Sequence, residues 1–414
     1  MRNPVRLPRD VIVLGVIAFF VNVGFGVMSP VLPVFARTFG VSNMAVGAVI
    51  SAFAVLRLGM SPWVPQVIRW FGARVTLAAG IGIVAVSSAL AGLAGSYAQL
   101  LVLRGVGGIG SAMFGVSAMS LLLAAAPATL RARSAAFYQG GFLLGGMAGP
   151  AIGGAMAAIS LTAPFFFYAG TLVLAGAVGL GFLRGGGVVL PDGGADVGPG
   201  GGGGAVGSAA VGVETNAAGS AAVPFHVAWR DVRYRAACLS NLGSGWASVG
   251  VRGTLVPLII TEVLGLAPRW TGIVFAIAAV AQTLAMAPAG SIVDTRGRRG
   301  PMVGAGLAAA ALLVVMPHMA NLWWLALVLA GYAVTSAFLG TAPAAVVGDV
   351  TGAQSARAVA AFSMFSDAGS IAGPLAAGAL ADAFGYPVAF AAGAALLAAC
   401  SLYAARMPAG MARG

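Results

Sequence analysis

Lysine is absent from this chain of 414 residues, and acidic residues number only ten. Charged residues make up 8% of the sequence, against roughly 25% in soluble domains. So little charge cannot cover a water-soluble globule, and that class is excluded. The two cysteines, Cys238 and Cys400, stand in separate apolar stretches. They offer neither a disulfide framework nor a metal cluster and are read as small buried hydrophobes. The two histidines, His226 and His318, lie far apart. No nucleophile–base pair or metal-ligand group is therefore visible, and neither an enzyme nor a bound cofactor is expected. A phosphate-binding loop is also missing, which excludes direct drive by ATP.

What fills the chain is apolar. Sixty per cent of the residues are hydrophobic, and runs of about 20 such residues are the unit that crosses a bilayer. Twelve runs are read, at about 11–36, 44–68, 75–95, 98–125, 135–159, 163–183, 236–261, 271–293, 301–319, 322–348, 358–381 and 386–405. The first is too long for a signal-peptide core and carries Asn22, Pro30 and Pro33, so it is expected to be retained as a helix. The 63 glycines fit closely packed helices. We read the chain as an all-α integral membrane protein with twelve transmembrane helices. Residues 1–183 form one six-helix bundle and residues 235–414 a second. Between them, residues 184–234 are expected to be a flexible Gly-rich linker, with Gly200 to Gly204 at its centre. Its end, Trp229, Arg230, Arg233, Tyr234 and Arg235, is an amphipathic basic segment suited to an anionic membrane surface.

The net charge of +12 invites a nucleic-acid partner, but its distribution excludes one. All 22 basic residues are Arg. With the N-terminus inside, 17 of them fall on the cytoplasmic side and only Arg37 and Arg269 outside. This positive-inside bias puts both termini in the cytoplasm of a multi-pass inner-membrane protein. The expected partners are the bilayer and a small solute, with the chain acting as a monomer.

The sequence repeats itself. Gly145-Gly-Met-Ala-Gly149-Pro150-Ala-Ile-Gly153-Gly154 returns as Gly369-Ser-Ile-Ala-Gly373-Pro374-Leu-Ala-Ala-Gly378, 224 residues on. The same offset carries Pro33 onto Pro257 and Arg133 onto Arg357; one residue more carries Arg57 onto Gln282. Proline strains a helix, and small residues let a neighbour approach it closely. Two related halves with a site at their interface are a common transporter design.

These motifs bear a family resemblance. Gly290-Ser-Ile-Val-Asp294-Thr-Arg-Gly297-Arg298-Arg299 resembles the cytoplasmic loop motif of the major facilitator superfamily. Its first-half counterpart, Pro65 to Arg74, keeps Gly72 and Arg74 but has Arg69 where the family has its acid. Arg104-Gly-Val-Gly-Gly108-Ile-Gly110 is similar to the family's intramembrane Arg motif, which implies a link to proton movement. The 145–154 stretch resembles the fifth-helix motif of exporters. Gly24 to Pro33 is close to the pattern of the twelve-helix drug:proton antiporters. The resemblance covers nearly the whole chain. It implies the major facilitator fold, two pseudo-symmetric bundles, and efflux of a small compound driven by the proton gradient.

Ionisable groups inside a membrane are expensive and need a reason. Asp367 is the one acid clearly within a span, about 15 Å from the inner end of helix eleven by helical rise. Arg57 lies about 16 Å from the inner end of helix two, and in the superfamily fold these helices face each other. An Arg57–Asp367 pair between the halves is expected, either as a proton-sensitive gate of the outward-open state or as a permanent structural pair. Arg252 either attracts an anionic group of the substrate or bonds to backbone carbonyls, and Arg104 has the same two readings. Asn22, Tyr138, Gln139, Trp246 and Gln282 are candidates to line a mostly apolar cavity, which suits lipophilic or weakly polar solutes. Helix one has no acid, so proton coupling would rest on Asp367. A sugar or metabolite facilitator without coupling, and a transport-inactive receptor or scaffold, are the competing readings.

Overall fold

A computed structural model describes residues 7–127, 130–183, 225–351 and 356–408. Residues 184–224 of the expected linker lie outside this range. The described chain is helical, and twelve long helices account for nearly all of it. The first six are α1 (Arg9–Met28), α2 (Asn43–Met60), α3 (Ala73–Gly92), α4 (Tyr97–Ala125), α5 (Arg131–Ile159) and α6 (Ala163–Phe182). The second six are α7 (Val232–Val263), α8 (Arg269–Arg296), α9 (Arg299–Val315), α10 (Leu322–Thr351), α11 (Ala356–Phe384) and α12 (Tyr386–Ala404).

Eleven helical stretches among the described residues are long and apolar enough to cross a membrane. Helix α11 falls outside that count because Ser363, Ser366, Asp367, Ser370 and Pro374 dilute its apolar run. Its 29 residues still reach about 43 Å at helical rise, and it packs between its neighbours as the other spans do. The expected single first helix is broken. After α1 the chain turns at Ser29–Val31 and resumes as a short helix, Leu32–Arg37, with Pro33 in its first turn, where a missing N–H costs nothing.

The local signals are conventional. Ser42 and Ser96 cap α2 and α4 through their hydroxyls, accepting from Ala45 N and Gln99 N. Gly72 and Gly297 adopt φ of 81° and 82°, a conformation that only glycine takes without strain. The two loops that hold them therefore turn alike despite their different charges. Asp231 caps α7 and bonds Arg233, which holds its carboxyl below the usual range. The basic segment before α7 is docked rather than free. Trp229 stacks against Phe365 at 5.8 Å, and the Tyr234 hydroxyl donates to Ala358 O at 2.6 Å.

The repeated glycine motif is where helices touch. A Cβ at Gly145, Gly149 or Gly153 would lie 2.3–2.6 Å from α1 backbone. At Gly369 it would lie 2.2 Å from Leu242 O, and at Gly373 3.0 Å from Gly250 Cα, both on α7. The last glycine of each copy does something different. Gly154 meets Gly272 of α8, and Gly378 meets Asn43 of α2, so both reach into the opposite half. Each motif thus packs its own bundle with its first turns and joins the bundles with its last. Pro150 and Pro374 stand inside their helices beside these contacts.

Candidate functional site

The halves meet along α2 and α11. The distal end, opposite the described termini, is sealed. Asp382 Oδ1 and Oδ2 accept from Asn43 N at 2.9 Å and Met44 N at 2.8 Å, satisfying two free donors at the start of α2. Beside them Arg37 pairs with Glu262 at 2.5 Å, and the Tyr386 hydroxyl donates to the same carboxylate at 2.6 Å. Moving inward, Gly47 lies against Pro374, and the Ser51 hydroxyl donates to Ile371 O at 2.7 Å. Arg57 and Asp367 form the last rung, with Nη2 2.5 Å from Oδ1 and each side chain 15% exposed.

The depth argument and the geometry bring the same two residues together. The pair is formed while the distal end is closed. The reason is the ladder itself. Asp382, Pro374, Ile371 and Asp367 lie on one face of α11, so closing the top rungs draws the bottom rung together.

Above the pair, between the halves, is a cavity of about 90 Å³. Its apolar wall includes Phe25, Pro30, Ile50, Pro150, Val249 and Phe275, and among the described residues its only charged lining residues are Arg104 and Arg252. Arg104 is 4% exposed and Arg252 5%. Arg104 sits 4.6 Å from the Phe53 ring, with the Met28 sulfur 3.7 Å from Nη1. Arg252 lies between the rings of Phe275 at 5.8 Å and Tyr332 at 5.7 Å. Neither has a carboxylate partner among the described residues. Arg252 takes no backbone carbonyl either, so ring faces stand where carbonyl bonds were one of the two expectations. It occupies a π-helical stretch of α7, Trp246–Gly253, a distortion common at functional sites.

The other cavity candidates sit elsewhere. Asn22 donates to Phe142 O, joining α1 to α5. Tyr138 is buried against Phe142 at 5.2 Å, with its hydroxyl unpartnered. The Trp246 ring nitrogen and the Gln282 side-chain oxygen are likewise buried without a partner. Gln139 is half-buried and does not line the described cavity. The rings holding the arginines, Phe53, Phe275 and Tyr332, were not singled out from sequence. One signal was available: the 224-residue offset sets Arg252 in the place of Met28, which touches Arg104.

At the opposite end, Arg298 is clamped between two carboxylates, Asp294 Oδ1 at 2.5 Å and Asp349 Oδ2 of α10 at 3.1 Å. It also donates to Val293 O at 3.0 Å. Gly297 makes the turn, while Gly290 has open space where a Cβ would go. Arg299 begins α9. In the other half Arg69 replaces the acid, and Arg74 donates instead to Leu180 O. Asp294→Asn leaves Asp349 on Arg298. The expected loss in thermal unfolding is under about 1 kcal/mol, and a larger loss would show the clamp depends on both acids. Among the described residues no three His, Cys, Asp or Glu side chains gather as a metal site.

Comparison with known proteins agrees with this architecture. Over 176 residues the chain is 27% identical to "Quinolone resistance protein NorA" of Staphylococcus aureus (strain MRSA252), covering 42% of each chain. Over 166 residues it is 27% identical to "Multidrug resistance protein 1" of Bacillus subtilis (strain 168), covering 40% of this chain and 43% of that one. The match thus spans less than half the length of these relatives. Among solved structures, a mutant form of the nucleoside transporter NupG superposes with a TM-score of 0.75 at 12% identity, over 96% of this chain and 100% of that one, a likeness of fold. A model of the Major Facilitator Superfamily matches residues 14–251 and again 237–410. With two matches that together run through both halves, the chain belongs to the Major Facilitator Superfamily of multi-pass membrane transporters.

Proposed function

We propose that this transporter is a proton-coupled exporter of small, largely apolar compounds, working by alternating access from the cytoplasmic membrane. The observation that carries this reading is the α2–α11 ladder, whose innermost rung is the buried Arg57–Asp367 pair. The Arg distribution supports termini in the cytoplasm, which makes the sealed distal end the outer one. The names of the two curated relatives support drug export.

In this scheme the deprotonated Asp367 holds Arg57 and keeps the outer side shut, so the cavity loads from inside. As the outer end opens transiently, Asp367 takes a proton from the outer solution, which removes its charge from the side of Arg57 and holds the ladder apart. The halves then rock apart at the outer end, releasing the solute. The halves then close at the outer end with the proton aboard, and its loss to the cytoplasm restores the pair. The membrane acts as the coupling device because the carboxylate faces the outer solution in one state and the inner solution in the other.

A second reading has one observation in its favour. Helix α1 carries no acid beyond Asp10 in its first turn, and Asn22 is engaged with Phe142 O, so a facilitator without coupling would need only the central cavity. Inverted vesicles with an acid interior and a pH-sensitive dye separate the two. Adding lipophilic drugs, neutral drugs and sugars in turn should give substrate-evoked proton release absent from vesicles lacking the protein. Tracer uptake that proceeds with no proton release would contradict coupling and leave the facilitator.

A further inference from the structure

We infer that the central cavity is an anion site, and that the transported solute carries a carboxylate or similar anionic group on its apolar body. This rests on the reading of the cavity as the transport site. Arg104 comes from one half and Arg252 from the other, and among the described residues they are the only charged ones lining that space. Both side chains are at least nine-tenths buried, where an uncompensated charge is costly.

The surroundings hold the cations without satisfying them. The ring faces of Phe53, Phe275 and Tyr332 offset part of the charge. A ring face takes no place of a hydrogen-bond acceptor for the whole guanidinium fork, and both Nε atoms are buried with no partner. Across both groups, the one acceptor among the described residues is the Met28 thioether, a weak one. Two forks of donors therefore line one cavity, whose hydroxyls at Ser29 and Ser248 are bonded to neither of them among the described residues. A planar carboxylate has two oxygens for those forks to share, and its negative charge offsets one of the two positive charges while it screens their mutual repulsion. The apolar wall of Phe25, Ile50, Val249 and Phe275 is left for the solute's body. A cationic or neutral solute would leave the repulsion between the two arginines uncompensated.

The placement also links binding to the transport cycle. Each arginine belongs to a different bundle, so an anion held by both bridges the halves across the cavity. Such a ligand differs in affinity between states in which the two arginines are near and far, which is the requirement for a solute to shift the equilibrium.

The test uses the full chain in nanodiscs of phosphatidylcholine, titrated calorimetrically with benzoate, benzamide and benzylammonium. These share an aromatic body and differ in charge. Benzoate is expected to bind at least about tenfold more tightly than benzamide, as charge-assisted hydrogen bonds allow, with benzylammonium weakest. Arg104→Gln and Arg252→Gln should each lower benzoate affinity about tenfold and leave benzamide unchanged. Equal affinity of benzoate and benzamide for the unaltered protein would overturn the inference without reliance on any variant. Loss of benzoate binding when phosphatidylglycerol replaces phosphatidylcholine would also overturn it, by assigning the site to a lipid headgroup. Failure here is distinct from failure of proton-coupled export. Proton release evoked by neutral drugs, with benzoate not binding, ends the anion site alone; benzoate binding with no proton release ends the coupling alone.

Discussion

Asp367→Asn alone, or Arg57→Gln alone, is expected to destabilise the protein by about 3–5 kcal/mol, because each breaks a mostly buried ion pair between the halves. The side chains are 15% exposed and 2.5 Å apart, so water replaces the missing partner only in part. The double variant, Arg57→Gln with Asp367→Asn, should regain most of that loss, since two neutral amides leave no orphan charge. The comparison is thermal unfolding of the four proteins in one detergent, with surface abundance measured alongside. Recovery of stability together with transport that no longer responds to the proton gradient would give the pair both roles, structural and coupling. Full proton dependence in the stable double variant would take coupling away from Asp367.

Adding one methyl group at the seam between the halves should have a still more selective effect. A Cβ at Gly47 would lie 2.1 Å from Pro374 O, and one at Gly378 would lie 2.4 Å from Asn43 O. Both obstacles are backbone, which has no rotamer to move aside. Overpacking of this kind costs about 1–3 kcal/mol, and here the cost falls on the closed distal end alone. Gly47→Ala and Gly378→Ala should therefore shift the protein toward the distally open form by about 5–150-fold while each bundle keeps its own core. Transport should fall with abundance unchanged. Gly82→Ala in α3, where a Cβ meets nothing within 4 Å, is the control and should transport normally. A Gly47→Ala protein that transports at the original rate would show that the seam is loose enough to absorb a methyl group.

Much of this architecture was legible before any coordinates. Spans are long and apolar, and the rise per residue converts position into depth, which is enough to set Arg57 level with Asp367. The 224-residue offset placed Gly149 and Gly373 in equivalent positions, and both pack against a glycine of the neighbouring helix. Rotation about the helix axis was not legible. A soluble helix declares its inner face through an apolar stripe, but these helices are apolar on every side. Asn22, Tyr138, Gln139, Trp246 and Gln282 were thus chosen for polarity, and lie outside the described cavity lining. The rings that hold the arginines were passed over because Phe53 and Phe275 look like any other lipid-facing or core residue. The π-helical stretches of α7, at Trp246–Gly253 and Ile259–Val263, left no sequence signal beyond Gly253 and Pro257.

The most direct test of the central idea, that the Arg57–Asp367 pair holds the outer end shut and a proton releases it, is a distance measured across that end. Spin labels at Ala98→Cys, at the start of α4, and Ala267→Cys, between α7 and α8, report it by electron–electron double resonance once the buried Cys238 and Cys400 are replaced by alanine. A carboxylate pairs when deprotonated, so the closed distance should dominate at pH 8 and give way to a longer one as the pH falls toward 5. In Asp367→Asn the longer distance should dominate at both. A distribution that is the same at pH 8 and pH 5, or an Asp367→Asn protein that stays closed, would contradict the account.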